Sequence, residues 1–271
     1  MDFRMTSDDS QDLATEALAD LGAMGVPETL LRDVPDLKSL EGLMIYGSRA
    51  RGDAVDGSDL DLLGLVQSPR PSSRSGDVHL SYYTPAQLGS GVGTLFGAHL
   101  KRDGRVLFDK SGELGAALER MGAVNTGLVV KRSRNMSQLF TTPELDLPRY
   151  LPGLLREARY LLRSCLYASA ISEGRPCFSV RELALRHGDP DLSRLLASRY
   201  VEEPSEQDYS QCVSRLERLI GPLPSSQHGS LEATIVNEWG TGGDLLSMAF
   251  MALGASSAEF DDYAEVEKVL L

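Results

Sequence analysis

The stretch Tyr46-Gly47-Ser48-Arg49-Ala50-Arg51-Gly52-Asp53-Ala54-Val55-Asp56-Gly57-Ser58-Asp59-Leu60-Asp61-Leu62 constrains this chain more than any other. Before it, the apolar run Leu43-Met44-Ile45-Tyr46 stops at Gly-Ser and reads as a buried strand ending in a turn. Gly47 has no side chain to keep a backbone or a phosphate at a distance. Ser48 suits the N-cap of a short helix through Arg49, Ala50 and Arg51. The free N–H groups at a helix start favour phosphate, and Arg49 and Arg51 can add charge-assisted contacts to it.

The next strand is read at Asp59-Leu60-Asp61-Leu62-Leu63-Gly64-Leu65-Val66. Residues two apart on a strand share a face, so Asp59 and Asp61 stand side by side. Paired carboxylates repel one another in a dry environment. A magnesium ion resolves that repulsion, because it takes carboxylate oxygens together with substrate phosphates. In a two-metal arrangement such ions activate the attacking oxygen and neutralise the leaving group. The bland alternative is an ordinary Gly-Ser turn and a solvated acidic edge. Leu60, Leu62, Leu63 and Leu65 argue against it, since they make the strand a buried one.

Gly-Ser-Arg-Ala-Arg-Gly-Asp-Ala followed by Ser-Asp-Leu-Asp-Leu resembles the signature of the nucleotidyltransferase superfamily typified by DNA polymerase beta. The wording is most similar to its bacterial minimal nucleotidyltransferase branch, and the likeness covers roughly residues 40 to 110. The resemblance implies a nucleoside triphosphate, ATP first. Gly47 and Ser48 would hold its phosphates, with Arg49, Arg51 and Ser58 beside them, and Asp59 and Asp61 would bind Mg2+. Relatives of this kind carry a third carboxylate on the following strand. Here that strand is Asp77-Val78-His79-Leu80-Ser81-Tyr82-Tyr83, in which Asp77, His79 and Ser81 share one face. His79 stands where the acid is expected and Asp77 one step earlier. A neutral imidazole can accept a proton near pH 7, and Asp77 can complete the metal site. A polar strand face turned to water is the third reading, and the sequence leaves all three open.

A chain of 271 residues holds one or two domains. Its 42% apolar content supplies a core, and no run approaches the ~20 apolar residues of a membrane helix. The polar, acidic start does not resemble a secretory signal. Cys165, Cys177 and Cys212 are too few and too scattered for a disulfide framework or a zinc site. A cytoplasmic protein is expected. The net charge of −12 disfavours general nucleic-acid binding. It divides evenly, −6 in residues 1–111 and −6 in residues 112–271, so neither half is an acidic trap.

Alternating strand and helix signals up to residue 111 predict a small mixed α/β sheet, and helical periodicity thereafter predicts an all-helical domain over 112–271. The fold class is thus α/β (α+β) in two domains. Pro69–Gly76 reads as a loop. In the second half, Leu154, Leu155, Ala158, Leu161, Leu162, Cys165 and Leu166 form an apolar stripe of helical period. Arg156, Arg159 and Arg163 line one face beside it. They either reach phosphates or form a solvated helix face, as do Lys131, Arg132 and Arg134. The acidic stretch Glu259–Glu267 reads as a solvated terminal helix.

Three functions follow. The first is Mg2+-dependent transfer of a nucleoside monophosphate to a hydroxyl of a small molecule. The layout resembles the aminoglycoside adenylyltransferases in having a transferase domain followed by a helical domain. The second is an antitoxin-type enzyme modifying protein or RNA, suggested by the spacing of Arg181 and His187, which resembles the Arg-x4-6-His motif of helical partners of the minimal branch. The third is a degenerate domain that binds nucleotide without turnover.

Overall fold

A computed structural model of the chain describes residues 7–141, 143–196 and 203–254. The fold is mixed α/β, and the chain separates into two compact units, Met1–Ala123 and Val124–Leu271. Glu259–Glu267 lies outside the described residues.

The first unit runs α1 (Ser7–Ala23), α2 (Glu28–Asp33), β1 (Gly42–Tyr46), α3 (Gly47–Arg51), β2 (Leu60–Leu65), β3 (Ser73–Ser75), β4 (Val78–Tyr83), α4 (Pro85–Gly89), α5 (Leu95–Asp103), β5 (Arg105–Asp109) and α6 (Glu113–Arg120). The strands form one sheet in the order β3-β4-β2-β1-β5. β2 and β4 are parallel and every other pair is antiparallel. Alternation sorts the side chains. Leu43, Ile45, Leu60, Leu62, Val78 and Leu80 face a core shared with Ala14, Ala17, Leu21 and Leu30 of α1 and α2. Met44, Tyr46, Asp61 and His79 belong to the opposite face, where Phe96 and His99 of α5 pack edge-on against the Tyr46 ring. The apolar face fixes the strand register, because a slip of one residue would turn the whole set over.

Two sequence expectations need correction here. Pro69–Gly76 is not wholly a loop: Ser73–Ser75 form an edge strand paired with Val78–Leu80. Its Ser-Arg-Ser composition carries no apolar alternation to signal a strand, and edge strands need none. Asp77 is not part of β4 but lies exposed in the turn that joins β3 to β4. The first compact unit includes α6, whose Leu114 and Ala117 are buried.

The regular structure among the second unit's described residues is all helical: α7 (Thr126–Met136), a 3-10 turn (Ser137–Phe140), α8 (Pro143–Ser172), α9 (Val180–Arg186), α10 (Asp191–Leu196), α11 (Glu206–Ile220), α12 (Leu231–Glu238) and α13 (Asp244–Gly254). α8 is kinked at Tyr150 (φ −126°, ψ 20°), beside Pro148 and Pro152, because Pro152 cannot donate the backbone bond that would continue the turn. Beyond the kink, the stripe from Leu154 to Leu166 is buried to 3% exposure or less at every position. α7, α11 and α13 pack around α8. The approach of α13 depends on Gly153, where a Cβ would overlap the Ala252 carbonyl. Cys165, Cys177 and Cys212 are free and buried in this unit.

Candidate functional site

The site gathers at one end of the sheet, where the end of β1 meets the starts of β2 and β4. Register puts Asp61 opposite Tyr46 on one side and opposite His79 on the other. Asp59 immediately precedes β2. One ligating atom from each of Asp59, Asp61 and His79 falls within 4.8 Å of the other two. His79 Nδ1 is 3.6 Å from Asp59 Oδ2 and 3.9 Å from Asp61 Oδ1. Their side chains retain 12%, 18% and 11% exposure respectively, so the group is recessed yet reachable.

Gly47 is what lets this group form. It has φ +76°, a conformation that L side chains rarely adopt, and a Cβ there would overlap Asp61 Oδ2. The close approach expected at Gly47 is thus, within the protein itself, that of a carboxylate. α3 starts at Gly47 with Tyr46 in the N-cap position and no side-chain cap bond. Ser48 is therefore inside the helix, which corrects its reading as the cap. The extended backbone of β1 continues through Tyr46, and the left-handed glycine makes the turn one residue earlier than a Ser cap requires.

Arg49 points back along the loop that leads to β2. Its Nε donates to the Asp59 carbonyl at 3.0 Å, and its Nη2 donates to the Ser58 carbonyl. Burial lowers the pKa of its guanidinium, and the Asp61 and Asp77 carboxylates oppose that shift. Arg49 so fixes the backbone that presents Asp59 and holds positive charge near the carboxylates. The Ser58 hydroxyl accepts from the Val55 N–H at 2.8 Å and closes the loop.

Arg51 is engaged elsewhere. Its Nε is 3.2 Å from Asp53 Oδ1, and its Nη1 is 3.1 Å from His99 Nε2 and 3.5 Å from Asp103 Oδ2. A guanidinium only donates, so His99 Nε2 is the acceptor and the imidazole is neutral. Burial, with Arg51 and Arg102 nearby, pushes the His99 pKa down to about 3. Burial also raises that of Asp103, with Arg51 and Arg102 opposing it. Arg51 thereby ties α3 to α5, and a phosphate role for it gains no support from this placement. His99 and Asp103 carry no motif that marks them in the sequence. Their i,i+4 spacing was the available signal, but nothing local ties such a pair to Arg51.

In the second unit the arginine rows turn out to be helix supports. Arg159 Nε donates to the Leu195 carbonyl at 2.7 Å, and Arg163 Nη2 to the Leu196 carbonyl at 2.6 Å, both at the C-terminus of α10. Arg156 bonds Glu157 (2.9 Å) and the Met251 carbonyl of α13. Arg134 donates to the Ile220 carbonyl ending α11 at 2.6 Å, and Arg132 forms a two-pronged pair with Asp244. Helix C-termini leave carbonyls without intrahelical donors and carry partial negative charge, which a guanidinium satisfies. Both the phosphate and the solvated-face readings of Arg156, Arg159 and Arg163 are corrected accordingly. Arg181 lies exposed in the first turn of α9, whereas His187 caps its far end. His187 lines a small cavity of about 160 Å³ with Asp189, Arg215 and Arg218, in which Asp189 and Arg215 are bonded to each other at 2.7 and 2.9 Å.

No family model matches the chain, and no curated protein matches it. Among the described residues no helix is long and apolar enough to cross a membrane.

Proposed function

We propose that the chain is a nucleotidyltransferase that moves a nucleoside monophosphate, AMP first, from a nucleoside triphosphate to an acceptor hydroxyl. The observation that carries this reading is the convergence of Asp59, Asp61 and His79 on one spot beside a left-handed Gly47. It lies inside the segment that resembles the polymerase-beta-type signature. The donor set fits a divalent cation: two carboxylates two residues apart at the start of β2 need an opposite charge, and a third donor faces them. Asp59, Asp61 and His79 would hold that ion, which supplies charge neutralisation for the triphosphate and the leaving pyrophosphate.

The acceptor oxygen forms a bond to the alpha phosphorus while the bond from alpha phosphorus to the bridging oxygen breaks. Pyrophosphate leaves and the hydroxyl proton departs to a base. Asp77, exposed in the turn ahead of β4, is the carboxylate we propose to receive it. Gly47 and Ser48 hold the phosphates, and Arg49 keeps Asp59 in place. Transfer of this kind asks a protein for positioning and charge more than for covalent chemistry.

The test is incubation of the pure protein with each of four alpha-labelled triphosphates, divalent cation and size-fractionated bacterial extract. Label on an acceptor with the natural chain and none with Asp59→Ala/Asp61→Ala supports the reading, and the labelled fraction gives the acceptor class. One observation favours a second reading. His79 occupies the position at which the resemblance implies a carboxylate, which suits a domain that binds nucleotide without turning it over. Triphosphate binding without transfer in every fraction selects that reading.

A further inference from the structure

We infer that the site is made for a first-row divalent transition ion, of which Mn2+ is the weakest-binding member, in preference to Mg2+, with His79 as its third protein ligand. The inference rests on the Proposed function only in locating an ion at Asp59 and Asp61.

Position is the first argument. His79 pairs with Asp61 across β2 and β4, so its direction is set by the sheet and not by a surface rotamer. Its neighbours Val78 and Leu80 are fully buried on the opposite face, and turning His79 away would expose both. Distance is the second. Nδ1 stands 3.6 and 3.9 Å from the two carboxylate oxygens, outside hydrogen-bond range. Two ligands that share one ion at roughly 2.1 Å lie at most about 4.2 Å apart, so both separations suit a common ion.

Donor chemistry is the third argument. Mg2+ takes oxygen ligands and keeps much of its water, so a fixed imidazole wastes one of its positions. Imidazole binds first-row transition ions readily, and affinity rises from Mn2+ along the series. Two carboxylates and one imidazole therefore shift the preference away from Mg2+ while leaving enough oxygen donors for phosphate-bridged chemistry. The third carboxylate implied by the resemblance would keep an all-oxygen set. His79 is the single residue that changes it.

The experiment uses the full chain, stripped of metal with a chelator and titrated with Mn2+ alone. Binding is followed by the loss of the free-ion electron paramagnetic resonance signal, with Mg2+ as competitor. Pulsed electron paramagnetic resonance then reads nitrogen-14 coupling from a directly bound imidazole. The natural chain should bind Mn2+ with nitrogen coupling. His79→Asp should lose the coupling and lower the Mn2+-over-Mg2+ preference by about tenfold or more. Bound Mn2+ without nitrogen coupling in the natural chain overturns the inference whatever the variant does. So does an unchanged preference in His79→Asp, or unchanged Mn2+ binding in Asp59→Asn/Asp61→Asn. These readings are made without nucleotide. Missing nitrogen coupling with label still transferred removes the His79 assignment alone, and coupling with no transfer removes the transferase reading alone.

Discussion

The two compact units use the same residue type for related work in very different settings. In the first, Arg49 bonds the Ser58 and Asp59 carbonyls and so holds a loop that ends at a cluster of carboxylates. In the second, Arg134, Arg159 and Arg163 bond carbonyls at helix ends, and among the described residues no metal-ligating cluster stands beside them. The difference lies in what stands next to each guanidinium. At β2 the carboxylates of Asp59 and Asp61 come together with His79, whereas the helix-end arginines each bond a backbone carbonyl. An arginine row is therefore weak evidence for a phosphate site, while clustered metal-ligating donors at strand starts are stronger evidence.

If that contrast holds, substitutions in the two units separate activity from stability. The largest effect is expected from Asp61→Ala, which should abolish label transfer and leave the thermal unfolding midpoint close to that of the natural chain. Activity retained by this variant would break the contrast at its strongest point. Gly153→Val should do the opposite. The crowding against Ala252 is expected to cost about 1–3 kcal/mol, read as a lower urea midpoint. Arg163→Met leaves the buried Leu196 carbonyl without its donor, at an expected cost of about 1–3 kcal/mol. Nucleotide binding measured by calorimetry should be unaffected.

A pH series sharpens the comparison within the first unit. His99 is held near pKa 3 when folded, against 6.5 as its reference value. The unfolded chain therefore binds the extra proton first. Stability from this group is complete above pH 6.5 and falls on acidification toward pH 3, by up to about 1.4 kcal/mol per pH unit. Asp103, whose pKa is raised, works in the other direction above its ordinary range and reduces the net slope. His99→Gln should flatten the acid side of the curve measured by chemical denaturation. The smallest effect is expected at Arg132→Ala. Its pair with Asp244 is about one-third exposed, so the loss should stay within about 1 kcal/mol.

Much of this arrangement was legible from local pattern. The apolar run Leu43–Tyr46 reads as a strand, and β1 spans Gly42–Tyr46. Period two placed Asp59 beside Asp61 and His79 on a polar face of its strand. Periodicity cannot supply the pairing of β2 with β4, so whether Asp77 or His79 faces the carboxylates stayed open until the register was seen. The edge strand Ser73–Ser75 was invisible because it buries no apolar row. The Arg51–His99–Asp103 contacts join residues about fifty positions apart, and the arginines of α8 reach carbonyls of α10 more than thirty positions away. Local spacing places an arginine on a helix face but does not name the partner that face will meet.

The most direct test of the central claim compares one triphosphate labelled at the alpha position with the same triphosphate labelled at the gamma position. Both are incubated with the natural chain, Mn2+ and the acceptor fraction. The account predicts alpha label on the acceptor and gamma label released as pyrophosphate. Gamma label on the acceptor, or neither label moving while the triphosphate binds, would contradict it.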